Sequence, residues 1–113
     1  MKRNMDLIRQ LLLDLENDKY DAPSGYGEEE IAYHKALLVE SKLAHGHATV
    51  VMDGSILAEI TRLTWEGHEF LDAARDESGW QQVTRSIGKT VGTVSLSLLQ
   101  AMLNQWAAGK LGL

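Results

Sequence analysis

The sequence predicts a mainly α-helical fold with one small β-hairpin: a winged-helix-like domain with a C-terminal helical extension. Three observations lead there. Glu28–Leu43 reads as one long helix with apolar residues at helical spacing. Two β-branched segments, Thr49–Met52 and Ile56–Thr61, flank Asp53-Gly54, a strong hairpin turn signal. Thr64-Trp65-Glu66-Gly67 then opens another helix. With a helix near the N-terminus, the order is helix, helix, hairpin, helix, as in a winged helix.

The chain has 113 residues, enough for one modest core. Hydrophobic residues make up 44% and charged residues 24%, a globular rather than a disordered composition. Cysteine is absent, which excludes disulfides and thiolate metal sites and suits a reducing cytosol. Asp6 and Arg9 come too early for the apolar core of a signal peptide. The uncharged run from Thr90 to Gly109 contains Ser95, Ser97, Gln100, Asn104 and Gln105, too polar a set for a membrane span. A cytoplasmic location, in a bacterial or phage-infected cell, is expected, with no membrane partner. The formal charge of −5 opposes strong non-specific DNA binding and leaves room only for a local basic stripe.

In chain order, Asn4 is placed to cap the first helix, with Asp6 near the positive end of its dipole. Met5, Ile8, Leu12 and Leu15 form its core stripe, and Arg9 takes another face. Asp18 to Gly27 is a loop rich in turn formers, with no room for the short helix that precedes a recognition helix. A helix-turn-helix is therefore degenerate or absent. The long helix carries two apolar arcs: Ile31, His34, Leu37, Leu38 and Ser41 on one, Ala32, Ala36, Val39 and Leu43 on the other. Between them runs a stripe spaced by sevens, Glu28, Lys35 and Lys42, opposite Glu29, Tyr33 and Glu40. A hairpin over Ala48–Leu63 follows, its Asp53-Gly54 turn taken as type I′. Thr64 caps the next helix, where Trp65 and Phe70 are expected to help close the domain. Ser78 and Gln81 form a capping box for a helix bearing Trp80, Val83 and Ile87, which Gly88, Gly92 and Thr93 end. Ser95 caps the last helix, Val94 and Leu99 staple it, and Gly109 ends it. Residues 1–76 read as the winged-helix-like domain. Residues 77–113 read as an extension packed on it or on a partner.

Three segments carry a family likeness. Met1-Lys2-Arg3-Asn4-Met5-Asp6-Leu7-Ile8-Arg9 resembles the opening of an uncharacterised DUF-type winged-helix family of bacteria and their phages. Glu29-Glu30-Ile31-Ala32-Tyr33-His34 with Leu37-Leu38 resembles its central helix, and Leu63–Asp72 its helix after the wing. The resemblance spans about residues 1–76 and implies the fold and a phage or prophage setting, without an activity. One departure is that many relatives have an apolar residue with Gly-Leu-Ile where this chain has Lys42-Leu43-Ala44-His45-Gly46-His47.

For chemistry, the histidines come first. His45 and His47 would point to one side of a strand, but no third ligand accompanies them, so no metal is expected. His34 lies on an apolar arc and reads as a satisfied core histidine. His68 with Glu66 and Glu69 reads as capping and surface charge. No nucleophile elbow, phosphate loop or zinc-protease helix occurs. No catalytic residue and no cofactor are assigned, and the chain is expected not to be an enzyme.

Two binding readings remain. DNA contact would fall to Lys35, Lys42, Arg62, Lys2 and Arg3, weakly and with strong salt dependence. Against it stand Glu28, Glu29 and Glu30 at the helix end that would meet the bases, and Asp53 at the wing tip. Contact with a host protein or a second copy would fall to Tyr33, Leu98, Leu99, Met102, Leu103 and Trp106, with a homodimer through the uncharged C-terminal helix. The function expected is that of a phage- or prophage-type accessory protein acting by binding, first as a DNA-associated regulator. The alternative is a protein-interaction module that occupies a host protein without touching DNA.

Overall fold

Asn4 starts the first helix, α1 (Met5–Glu16): its side-chain oxygen accepts from the N–H groups of Asp6 (3.0 Å) and Leu7 (3.3 Å). The computed structural model describes residues 1–88, 93–110 and 112. Residues 17–27 form the expected loop without a helix. The second helix, α2, covers Glu28–Glu40 and stops three residues short of the expected Leu43. Lys42 turns left-handed (φ 64°), its N–H donates to the Val39 carbonyl (3.1 Å), and the Leu43 N–H donates to the Leu38 carbonyl (3.0 Å). That pair of bonds is a Schellman ending, here with lysine where glycine is usual. Leu38 and Leu43 are both buried and supply its apolar contact.

Strands β1 (Ala44–Val50) and β2 (Ile56–Leu63) pair antiparallel as the expected hairpin, with an irregularity between His45 and Gly46. β1 begins four residues before the expected Ala48, because the Schellman turn delivers the chain directly into the strand. The turn is not type I′. Gly54 has φ 87° and Asp53 is not in the left-handed region. The Gly54 N–H donates to the Val51 carbonyl and the Val51 N–H to the Ser55 carbonyl, both at 2.9 Å. This is the three-residue loop in which a type I turn is followed by a left-handed glycine. Asp53 stabilises it by accepting from the Ser55 N–H (2.9 Å) and hydroxyl (2.6 Å).

Helix α3 (Trp65–Ala74) is capped by Thr64, whose hydroxyl oxygen accepts from the Gly67 N–H (2.9 Å). Helix α4 (Glu77–Ile87) is capped by Asp76, not by Ser78. The Asp76 carboxylate takes the Gly79 N–H (2.9 Å), while Gln81 donates to Glu77 (2.9 Å), so the Ser78–Gln81 box is not used. Gly88 ends α4 with φ 69°, and Gly92 lies outside the described residues. Helix α5 (Leu96–Lys110) starts where Ser95 accepts from the Leu98 N–H (3.2 Å). It continues through Gly109 rather than ending there.

The fold is thus mainly helical with one small antiparallel hairpin, in winged-helix-like order. One core joins all of it: Leu7 and Leu12 of α1, Leu38 of α2, Phe70 and Leu71 of α3, and Leu99 and Leu103 of α5 are fully buried. The extension packs on its own chain, α5 against α3 and α4. Trp65 departs from expectation. It is 76% exposed, because the first position of α3 faces away from the core, and its indole N–H donates to Glu69. Phe70→Ala should therefore cost about 3–5 kcal/mol, the usual range for truncating a buried aromatic. Trp65→Ala should stay within about 0.5 kcal/mol of wild type. Urea unfolding of both variants checks this, and an equal loss in the two would contradict the placement.

Candidate interaction surface

The root of the hairpin is held by a compact set of hydrogen bonds. The Leu43 carbonyl accepts from the Thr64 N–H (3.1 Å), and the Thr64 hydroxyl donates to the Lys42 carbonyl (2.6 Å). Gly67 sits so close that a Cβ there would lie 1.9 Å from the Leu43 oxygen. Glycine is required at that point of α3 by steric exclusion alone. From this root the hairpin runs outward. Ala44 and Leu63 are buried, Ile60 is half-buried, and then His47, Ala48, Thr49 and Val50 are exposed. Val50 is 68% exposed, Met52 106% and Leu57 63%. Asp53 is the one charged residue between Val50 and Leu57. Its carboxyl is held below the usual range, chiefly by the Ser55 hydroxyl and then by the Ser55 N–H. The wing tip is apolar, with a negative turn.

The residues expected to contact DNA do not form one stripe. Lys35, on α2, is half-buried and lines a small cavity with Tyr20, Asp21, Pro23 and Ile60. Lys42 lies beyond the helix end and lines a different depression, with Val39, His45 and Trp65. The spacing of seven assumed a helix that continued to Leu43. Arg62 is exposed on β2, directly across from His45. Lys42, His45 and Arg62 thus gather at the wing root. Lys2 and Arg3 are exposed ahead of α1, and Arg3 reaches the Val94 carbonyl (3.5 Å). Glu28 and Glu29 are exposed at the start of α2.

The residues expected at a partner interface fall into three groups. Leu99 and Leu103 are fully buried in their own domain and cannot reach a partner. Met102 and Trp106 are half-buried against the core. The Trp106 ring covers Gly79, where a Cβ would come within 2.6 Å, and its N–H donates to Gln82 (3.1 Å). Tyr33 is half-buried, edge-on to His34 at 5.4 Å. Leu98 alone of the six is exposed, at 53%. The excess of apolar residues on α5 is explained by two neighbouring helices, α3 and α4.

Two buried polar residues hold α1 in place. His34 is fully buried; its Nε2 accepts from the Asn4 N–H (2.8 Å) and its Nδ1–H donates to the Glu30 carbonyl (2.7 Å). The imidazole is spent on structure, as its sequence position implied. Arg9 is buried rather than outward-facing. It donates to the Ala74 (2.7 Å) and Arg75 (2.9 Å) carbonyls, pairs with Glu77 (2.9 Å) and lies 5.6 Å from the Trp80 ring. The Trp80 indole donates to Asp6 (2.7 Å). Asp6, Arg9, Glu77 and Trp80 line a broad open groove between α1, the 17–27 loop and α4. Its polar groups are largely engaged with one another. Among the described residues no three His, Asp or Glu side chains come together as a metal site, and no helix is long and apolar enough to cross a membrane.

The geometry defines a mainly helical, winged-helix-like domain with a projecting hairpin. The chain belongs to the family described as "Hypothetical protein (DUF2513)", which matches residues 2–94, from ahead of α1 to just before α5. It is 34% identical over 115 aligned positions to an "Uncharacterized protein" of Haemophilus influenzae (strain ATCC 51907 / DSM 11121 / KW20 / Rd), covering 95% of this chain and 92% of the relative. No solved structure matches significantly.

One ion pair gives a pH prediction. Arg75 makes two parallel bonds to Glu16, 2.6 and 2.8 Å, and a third to Asp72 (3.0 Å). These bonds hold the Glu16 carboxyl below its ordinary value and raise the Arg75 guanidinium. A carboxyl lowered in the folded state stabilises it fully above the unfolded value, and that contribution is lost as pH falls through the folded value. Arg75 is 46% exposed, so the effect is about 1 kcal/mol or less. Urea melts across acid to neutral pH should show Glu16→Gln less stable at neutral pH and converging on wild type in acid. A constant difference at all pH values would contradict the ion pair.

Proposed function

We propose that this protein is a phage- or prophage-type accessory factor that acts by binding, and that its hairpin engages another protein. The observation that carries this reading is the exposed wing tip. Val50, Met52 and Leu57 present apolar side chains to solvent around a single negative residue. By the strand register Val50 and Leu57 lie on opposite faces of the projection, so a partner that grips the tip would bury apolar groups on both sides. A phosphate backbone calls instead for cations at that place. Capture from a bacterial host lysate tests the reading. A partner should be retained after nuclease treatment and lost with Met52→Glu plus Leu57→Glu, with the fold intact by circular dichroism. A partner that survives the double change, or disappears with nuclease, would count against it.

A DNA-associated regulator is the second reading, favoured by Lys42, His45 and Arg62 at the wing root beneath a winged-helix-like order. With so few cations, binding would be weak and steeply salt-dependent. Lys42→Glu with Arg62→Glu should then abolish a low-salt mobility shift for all duplexes alike. Absence of any shift for the wild type would remove this reading.

A further inference from the structure

We propose that the free edge of β1 pairs with the same edge of a second copy, joining two hairpins into one four-stranded antiparallel sheet. The proposal rests on the reading that the wing is a protein-binding surface, and it names one partner for it. Backbone hydrogen bonding supplies the first reason. The Val51 N–H is used across the hairpin, donating to the Ser55 carbonyl. In an antiparallel pair the N–H and C=O of successive residues point to alternate sides. Counting back, the main-chain groups of Val50, Ala48 and Gly46 point away from β2. Among the described residues no segment pairs with that edge: the sheet has two strands, and β1 neighbours only β2.

The second reason is the composition of the edge. Exposed edges are normally protected by lysine, other charges, proline or cover from another element. β1, Ala-His-Gly-His-Ala-Thr-Val, carries no Lys, Arg, Asp, Glu or Pro, and from His47 to Val50 it is uncovered. Its one irregularity, between His45 and Gly46, lies at the root and leaves the outer half regular. β2 differs: it carries Glu59 and Arg62, and Ile60 lies beside Tyr20 to Pro23 of the 17–27 loop. Among the described residues, β1 has the less protected edge.

The third reason is electrostatic and selects a second copy. The chain carries a formal charge of −5, with Glu28 and Glu29 exposed on α2, so self-association through an acidic face is opposed. A two-fold contact sets a surface against itself. β1 is a stretch where that juxtaposition brings no like charges of Asp, Glu, Lys or Arg together. With the axis at Ala48, Ala48 faces Ala48 of the partner subunit and Gly46 faces the partner's Val50. The outward groups of these residues then form about six main-chain hydrogen bonds. Met52 and the outer side of β2 stay free, so the pairing is compatible with a host protein at the tip. A strand pair alone is small beside the roughly 1,600 Å² of a stable interface, so the dimer is concentration-dependent.

Sedimentation velocity on the full chain, from low to high micromolar concentration, tests the pairing. The wild-type mass should rise from monomer toward dimer, and the Ala48 and Val50 amides should gain hydrogen-exchange protection in step. Ala48→Lys sets two ammonium groups across the axis, and Ala48→Pro removes an edge N–H that the hairpin itself does not use. Both should stay monomeric and, at low micromolar concentration where the wild type is monomeric too, should melt with it. If the proline variant melts early, the lysine variant decides. A wild type that stays monomeric throughout, or a dimer that persists in Ala48→Lys, overturns the proposal. So does a dimer lost in Leu98→Glu but kept in Ala48→Lys, which would place the contact on α5. A monomeric wild type whose captured host protein is still lost with Met52→Glu plus Leu57→Glu overturns the pairing and leaves the wing reading standing. A mass shift sensitive to Ala48→Lys, with host capture indifferent to the tip, does the reverse.

Discussion

Everything after α2 depends on the turn at Lys42-Leu43. The chain leaves the helix through a left-handed lysine, and the next carbonyl, that of Leu43, receives the Thr64 N–H. Thr64 is therefore the residue that leaves β2, the partner of the helix terminus and the cap of α3 at once: it donates its hydroxyl to Lys42 and accepts from Gly67. A left-handed non-glycine residue costs on the order of 1 kcal/mol and persists only where its surroundings determine it. Here the surroundings are a Schellman pair of bonds and a helix packed against the same carbonyl. This knot fixes where the hairpin leaves the core and which way it projects.

The other half of the molecule is organised by two buried polar residues. His34 satisfies one donor ahead of α1 and one carbonyl of α2; Arg9 takes the last carbonyls of α3 and reaches Glu77 on α4. Neither adds much net stability over a well-packed apolar side chain, because burial removes each from water. What they add is registry. An apolar α1 could slide or rotate against its neighbours at small cost, but these bonds hold in a single alignment, and breaking one leaves an unpaired buried group. The side chains with the most evident chemical versatility near the core are thereby committed to structure. The outer hairpin, by contrast, leaves the apolar side chains of Val50, Met52 and Leu57 exposed.

Charge distribution bears on function through the same geometry. Acidic residues at the start of α2 complement the helix dipole, as they do at any helix N-terminus. They also make that helix a poor reader of a phosphate-lined groove. The cations that could offset them are divided between the α1-facing side of α2 and the hairpin root, because the helix ends before the spacing of seven is completed. The apolar tip, by contrast, needs no charge to bind.

The sequence by itself determined the elements and their ends where the signal is local. Asn4, Thr64 and Ser95 cap the helices they precede, and Asp53-Gly54 turns the hairpin, because a cap or a tight turn is decided within a few residues. The buried Phe70 and the satisfied His34 were also legible, from apolar periodicity. Tertiary structure decided the rest. Nothing local shows that Lys42 leaves the helix; that follows from Leu43 being needed at the knot. Arg9 resembles a surface residue until the carbonyls of Ala74 and Arg75, sixty-five and sixty-six positions away, are brought to it. Asp76 displaced the Ser78–Gln81 box because two overlapping caps compete for one set of N–H groups. Leu99 and Leu103 looked like an interface because the sequence cannot state how many neighbours a helix has, and α5 has two in its own chain. The wing's open edge and bare tip are likewise facts of packing: among the described residues, no other strand pairs with the hairpin and its outer half stays exposed.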